Sequence, residues 1–156
     1  MLHTEPRAPR HPVAADAGTV GDAMSRGVIS CPPETPLRVV ARMMAAYGVH
    51  AVFVFEYAED DELPQLWAVV SDLDLVAATP LDLDTLTAGA AAITPLVSIA
   101  ADSSIGEAGS LMAQYGIAHL AVTEPGSRRP IGVVSTLDIA RVIAAGLGPR
   151  EAVASA

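Results

Sequence analysis

The sequence contains no lysine. All nine basic residues are arginines, set against 18 Asp and Glu, which leaves a formal net charge of −9. A surface of that sign repels polyanions and argues against nucleic acid and anionic membranes as partners. There is one cysteine, Cys31, which excludes an internal disulfide and a Cys-based zinc cluster. With no basic neighbour in sequence, it reads as a small core residue. Aromatics make up only 4% of the chain, so Ala, Val, Ile and Leu must build the core. No long apolar run is present: the most apolar stretch, residues 86–101, is broken by Gly89, Pro95 and Ser98 and does not read as a membrane span. Residues 1–13 lack the apolar segment of a secretory signal, so the cytoplasm is the expected location. No His, Asp and Glu cluster has metal-ligand spacing, so no metal site is expected. Neither a Walker-type phosphate loop nor a Gly-x-Ser-x-Gly elbow occurs.

What the 156 residues do contain is a repeat. Met44-Ala45-Ala46-Tyr47-Gly48-Val49 returns as Met112-Ala113-Gln114-Tyr115-Gly116-Ile117, an offset of 68 (112 against 44). The same offset places Thr19 over Thr87, Glu34 over Asp102, Leu37 over Ile105 and Glu56 over Glu124. Beyond Glu56 the offset is 64 (132 against 68), so that Ala68-Val69-Val70-Ser71-Asp72-Leu73-Asp74 lies over Gly132-Val133-Val134-Ser135-Thr136-Leu137-Asp138. One gap, in the acidic segment 56–66, accounts for the change; a surface loop tolerates it.

Each copy reads as strand, helix, strand, strand, helix. In the first, 28–31 is an apolar strand closed by Pro32-Pro33, and Glu34-Thr35-Pro36 opens a helix. Leu37, Val40, Met43, Met44 and Tyr47 recur at helical spacing until Gly48. Strands come next at 51–55 and 66–70 around a polar loop, 56–64, and Ser71 starts a second helix. The second copy predicts strands at 96–99, 119–123 and 131–134 and helices at 104–115 and 136–145. The strands are short and almost wholly apolar, as strands covered on both faces are. A unit of about 60 residues buries too little surface to be comfortable alone. The two copies are therefore expected to pack sheet to sheet, forming two similar clefts. The division is a tail at 1–18, repeats at 19–79 and 87–147, a linker at 80–86 and a tail at 148–156. Both tails are expected to be mobile.

The doubled βαββα order, the lead-in Thr19-Val20-Gly21-Asp22-Ala23-Met24 and the segment Gly132-Val133-Val134-Ser135-Thr136-Leu137-Asp138 resemble the pair of CBS domains called a Bateman module. The resemblance covers about residues 19–146. It implies an α/β (α+β) fold of two βαββα repeats related by a pseudo-two-fold axis, and a regulatory binding module rather than an enzyme. Its ligand would be an adenine nucleotide or adenosyl compound such as AMP, ADP, ATP or S-adenosylmethionine. It implies that Asp138 holds ribose hydroxyls and that Ser135 and Thr136 face phosphate. The base slot would come from Ser98 and Ile99 together with Ala118, His119 and Leu120. The weaker counterpart in the first repeat would comprise Ser30, His50, Ala51, Ser71 and Asp74. It also implies a homodimer, and a chain of this length leads one to expect either a separate effector protein or the dimer itself as the output.

The residues agree with these roles on physical grounds. A carboxylate accepts two hydrogen bonds from a vicinal diol, and free N–H groups at a helix start favour phosphate. Ser135 and Asp138 also read simply as an N-cap and its N3 partner. The first copy is the poorer nucleotide site: Ala68 replaces Gly132, and Asp72 stands where the second copy has Thr136. Two like charges about 5 Å apart at an effective dielectric near 20 repel by about 3 kcal/mol before screening. Phe53 either fills core volume or narrows a cleft. Arg128-Arg129 reads as a solvated turn, or as a reach toward a phosphate tail. The alternative function is a protein-interaction scaffold with no small-molecule site.

Overall fold

In the computed structural model, residues 18–57, 59 and 65–146 are described. The expected tails lie outside these residues apart from Gly18, as does most of the acidic loop. Chain order is α1 (Val20–Ala23), β1 (Ser25–Arg26), β2 (Ser30–Cys31), α2 (Leu37–Tyr47), β3 (Ala51–Glu56), β4 (Gln65–Ser71) and α3 (Asp72–Ala77). It continues through α4 (Ala88–Ala91), β5 (Ser98–Ala100), α5 (Ile105–Tyr115), β6 (His119–Thr123), β7 (Pro130–Ser135) and α6 (Thr136–Ala144).

The two long helices bury equivalent residues. Leu37, Val40 and Met44 of α2 correspond to Ile105, Ala108 and Met112 of α5. Each helix ends on a left-handed glycine, Gly48 (φ 64°) or Gly116 (φ 63°), whose N–H bonds back to Met44 or Met112. Their starts differ. Ser104 and Glu107 form a capping box on α5, whereas α2 begins after Pro36, which has no side chain to cap with. The linker does that work instead. Leu37 N–H donates to the Leu86 carbonyl (2.9 Å) and Arg38 N–H to that of Leu83 (3.0 Å). Arg38 also grips Asp84 through both sides of its guanidinium. Residues 80–86 are thus a docked segment of the first unit.

Two sheets form, β2-β3-β4 and β1-β7-β6-β5. In each, the first strand of the copy runs parallel to the second and the second antiparallel to the third. Separate cores lie beneath them, one around Leu37, Val40, Val52, Val54 and Val70, the other around Val20, Leu120, Val122 and Val134. Ala51, Phe53, Val69 and Ala121 form a third cluster, flanked by Val28, Leu66, Leu96 and Val133, that joins the sheets face to face. Phe53, 1% exposed, fills this core and is not part of the lining of the cleft around His50 and Ser135. Cys31 is buried, and desolvation pushes its thiol pKa up despite a hydrogen bond with Thr35.

The segments before each copy cross over to the other. Val20 N–H donates to the Ser103 carbonyl, and its equivalent, Ala88 N–H, donates to that of Thr35, both at 2.8 Å. Gly21 bonds to Ala101 as Gly89 does to Pro33, and the bridge between Thr19 and Ser104 is matched by one between Pro36 and Thr87. These reciprocal pairs express the pseudo-two-fold axis. They place each lead-in in the opposite core: Val20 belongs to the second, while Ala88 and Ala91 belong to the first. The first strands start later than expected, at Ser30 and Ser98. Val28 precedes the ladder of β2, and Ile29 joins it through its carbonyl, which accepts from the Phe53 N–H (2.9 Å).

The symmetry breaks at one glycine. In the second unit β1 pairs with β7, Ser25 opposite Val133 and Arg26 opposite Gly132. A Cβ on Gly132 would lie 2.5 Å from the Ser25 carbonyl oxygen and 2.7 Å from Met24 Sδ. The first unit has Ala68 there, and only an isolated bridge, Val69 to Thr94, forms. Among the described residues no helix is long and apolar enough to cross a membrane. Substituting Gly132→Ala is expected to push β1 off its ladder and cost about 1–3 kcal/mol, read as a lower urea midpoint.

Candidate functional site

Because the lead-ins cross, the segment beside the end of β7 comes from the other copy. Ser25, Arg26, Gly27, Val28 and Ile29 form one wall of a cleft of about 480 Å3. The turn from Tyr47 to Ala51 and the ring of His119 form another. Ser135 and, on α6, Leu137, Asp138 and Arg141 close it. The volume is that of a small-molecule site.

Asp138 is the buried acid of this cleft, 8% exposed. Its Oδ2 accepts from the Ser135 N–H (2.8 Å) and the Ser135 hydroxyl (3.0 Å), and its own N–H donates to Ser135 Oγ (3.2 Å). The capping box is therefore complete. Among the described residues the Oδ1 atom has only Arg141, at 3.5 Å, a contact too long to saturate a carboxylate oxygen. The box commits one oxygen to the helix start and leaves the other, on a residue that lines the cleft, without a close partner. Arg26 and Arg141 add two guanidiniums, the groups suited to planar anion recognition.

Two histidines meet at the cleft floor, their rings stacked with centroids 6.4 Å apart. His50 Nδ1 lies 2.9 Å from Asp72 Oδ2. Asp72, whose Oδ1 accepts the Leu73 N–H, is thus already engaged on both oxygens. The pKa of His119 is held below its usual value of 6.5, chiefly by burial. Asp72 opposes that shift, the His50 charge adds to it and Asp138 opposes it. Among the described residues no group of three His, Cys, Asp or Glu is placed to hold a metal ion.

The structure regroups the residues read from sequence. Asp138, Ser135 and His119 share the cleft with His50 and Ala51, which the sequence pattern places in the other copy's site. Ser98 and Ile99 are not there; they line a separate, more open depression with Ser104, Glu107 and Ser110 at the start of α5. The reason is the crossover, which makes residues 25–29, not 96–99, neighbours of α6. Leu120 is fully buried in the second core. Ala118 gives its carbonyl to the Thr136 N–H (2.9 Å), and neither side chain lines the cleft. Ser30 pairs with Phe53 on β2. Ser71 and Asp74 form the first copy's capping box, which Thr94 joins: its hydroxyl donates to Asp74 Oδ2 (2.8 Å) and lies 3.0 Å from Ser71 Oγ. Arg128 and Arg129 occupy the turn at the far end of the β6–β7 hairpin, about 13 Å along the strands from His119. Sequence reasoning missed Ser25, Arg26, Tyr47 and Arg141. Arg141 was detectable, one helical turn after Asp138. Arg26 was not, since nothing local announces the exchange.

A family model described as the CBS domain matches residues 20–80 and 88–145. The chain belongs to the CBS domain family. Among solved structures, this CBS protein is 28% identical to Hypoxic Response Protein I, whose crystal structure has two coordinated zinc ions; the match covers 79% of this chain and 97% of that one at a TM-score of 0.61. It is 25% identical to a CBS domain protein from Pyrobaculum aerophilum complexed with AMP, over 77% and 88% of the two chains at 0.66. A CBS domain pair in complex with 5′-methylthioadenosine and S-adenosyl-L-methionine shares the fold at 18% identity, over 81% and 96% of the two chains at 0.66. No curated protein matches.

The His119 environment makes a pH prediction. A histidine pKa depressed in the folded state means that the unfolded chain binds the proton better. The stability so contributed is present above the unfolded value, near 6.5, and is lost as pH falls from there toward the folded pKa. Urea unfolding at about pH 7.5 and about pH 5.5 is expected to show a smaller loss on acidification in His119→Gln than in the parent.

Proposed function

We propose that this CBS protein is a regulatory sensor that holds an adenine nucleotide or adenosyl ligand in the Asp138 cleft. The observation that carries this reading is the split role of the Asp138 carboxylate. One oxygen is committed to the helix cap, and the other belongs to a side chain that lines a cleft of ligand size beside two arginines. A ribose diol would donate to Oδ1. Arg26 and Arg141, with the Ser135 hydroxyl, would take phosphate; Thr136, expected on the phosphate side, does not line the cleft, and its N–H is held by the Ala118 carbonyl. The AMP complex of the Pyrobaculum aerophilum relative supports the ligand class, with ADP, ATP and S-adenosylmethionine as further candidates. No catalytic role is assigned to the cleft.

A ligand here would bridge residues 25–29 of one copy to α6 of the other. It would therefore favour the arrangement in which those two segments are closest, and differential affinity for two arrangements is what a sensor needs. We place the readout in a homodimer and a separate effector protein, in the cytoplasm. The acidic surface disfavours nucleic acid and membrane. Leu73 and Val76 on α3, with Leu137 and Ile143 on α6, leave apolar side chains exposed, which suits helix-to-helix contact between chains. Sedimentation equilibrium is expected to give a dimer, weakened by Leu73→Asp together with Ile143→Asp.

A scaffold without a small-molecule ligand is the second reading. It is favoured by the fact that the Ser135–Asp138 bonds are complete as a helix cap. A thermal-shift screen with AMP, ADP, ATP, S-adenosylmethionine and NAD separates the two readings. A ligand at about a hundred times its Kd stabilises by about 2.7 kcal/mol, whereas a scaffold shows no shift with any of them. Asp138→Asn keeps an oxygen for the cap and removes the charge. It is expected to weaken AMP at least ~10-fold, about 1.4 kcal/mol, by calorimetry.

A further inference from the structure

We propose that the cleft of the first copy is plugged by the chain itself, with Thr94 seated on the Ser71–Asp74 box, so that each chain holds one ligand and not two. The proposal rests on the reading of the Asp138 cleft as a ligand site and explains why its twin is closed.

The two lead-in helices arrive symmetrically, through matched bonds from Val20 and Ala88. The segments beyond them diverge. In the second unit Gly132 has no Cβ, so the Ser25 carbonyl comes to within 2.5 Å of where a Cβ would be, and the two-residue ladder forms. In the first unit the Ala68 methyl occupies that space. The counterpart of the Arg26–Gly132 pair would be Thr94 with Ala68, yet Thr94 pairs with Val69, one residue further on. A slip of one residue in an extended segment turns its side chains over. The next position reinforces this. Gly27 leaves β1 at φ 83°, a path closed to Pro95 at the equivalent place, whose ring holds φ near −65°. Proline also keeps the preceding Thr94 extended.

The outcome is a closed ring of hydrogen bonds on Asp74 Oδ2, the cap oxygen, so the plug acts by seating Thr94 over the box and not by taking the oxygen that corresponds to Asp138 Oδ1. Asp74 N–H donates to Ser71 Oγ (3.2 Å), and the Thr94 hydroxyl donates to Asp74 Oδ2 (2.8 Å). With its one proton so used, Thr94 accepts from Ser71 Oγ (3.0 Å). In the second copy the Ser135 hydroxyl donates straight to Asp138 Oδ2, and no lead-in side chain is in hydrogen-bond contact with either residue. The first cleft has also lost both cations: Arg26 corresponds to Thr94, and Arg141 to Ala77.

Calorimetric titration of the full chain with adenosine, which has the diol and no charge to meet Asp72, tests this. The parent is expected to bind one equivalent per chain, abolished by Asp138→Asn. Thr94→Ala, or the replacement Ala68→Gly with Thr94→Arg and Pro95→Gly, is expected to bind two. The added equivalent should persist with Asp138→Asn and vanish with Asp74→Asn, while Thr94→Ser stays at one. A parent that binds two, or both opened variants folded and still binding one, overturns the plug. A parent that binds neither adenosine nor AMP overturns the Asp138 reading. In that case a site gained on the Asp138→Asn background by opening Thr94 still upholds the plug, and no gain overturns it.

Discussion

The reciprocal exchange of lead-in segments is the constraint on which the rest of the molecule depends. Val20 and Ala88 each donate a backbone hydrogen bond to the opposite copy just ahead of its first long helix, at the Ser103 and Thr35 carbonyls. Each exchanged segment then buries side chains in a core that is not its own: Val20 and Met24 in the second, Ala88 and Ala91 in the first. Neither unit is complete without the other. That dependence is added to the sheet-to-sheet cluster around Phe53, which alone would permit the two units to be read as separable halves.

The exchange also creates the site. A cleft between α6 and its own copy's first strand would have been lined by Ser98 and Ile99. The crossing brings Arg26, Val28 and Ile29 instead, and lets the turn after α2 contribute His50. The cleft therefore draws its acid from one copy and a guanidinium from the other. A ligand that touched both would report on how the copies sit together.

Inequality between the copies comes from very little. Gly132 against Ala68 is one methyl group, but it stands where a backbone carbonyl must pass, so the lead-in strand forms on one side and slips on the other. Electrostatics is set by that slip and by the residues around it. The open cleft has two arginines, whereas the closed one has Asp72 held by His50 and Asp74 held by Thr94.

Much of this was legible in the residues. The repeat, the order of the main strands and helices, the glycine stops at Gly48 and Gly116 and the Ser135–Asp138 cap are local or periodic signals, and the structure has them, with the short α1, β1 and α4 added in the lead-ins. The inequality of the copies could also be suspected from Ala68 and Asp72, though the repulsion invoked for Asp72 omitted the steric part played by Thr94. The partition of side chains between the clefts was not legible. Residue by residue, Ser98 and Ile99 looked like neighbours of Asp138, and His50 looked like a neighbour of Asp74. The elements and the residue pairs each cap needs follow from the order of residues alone, because those interactions span one or two turns of chain. Which copy supplies each wall emerges on folding, because a crossing segment is placed by backbone hydrogen bonds and by small apolar side chains, neither of which names its partner in the sequence.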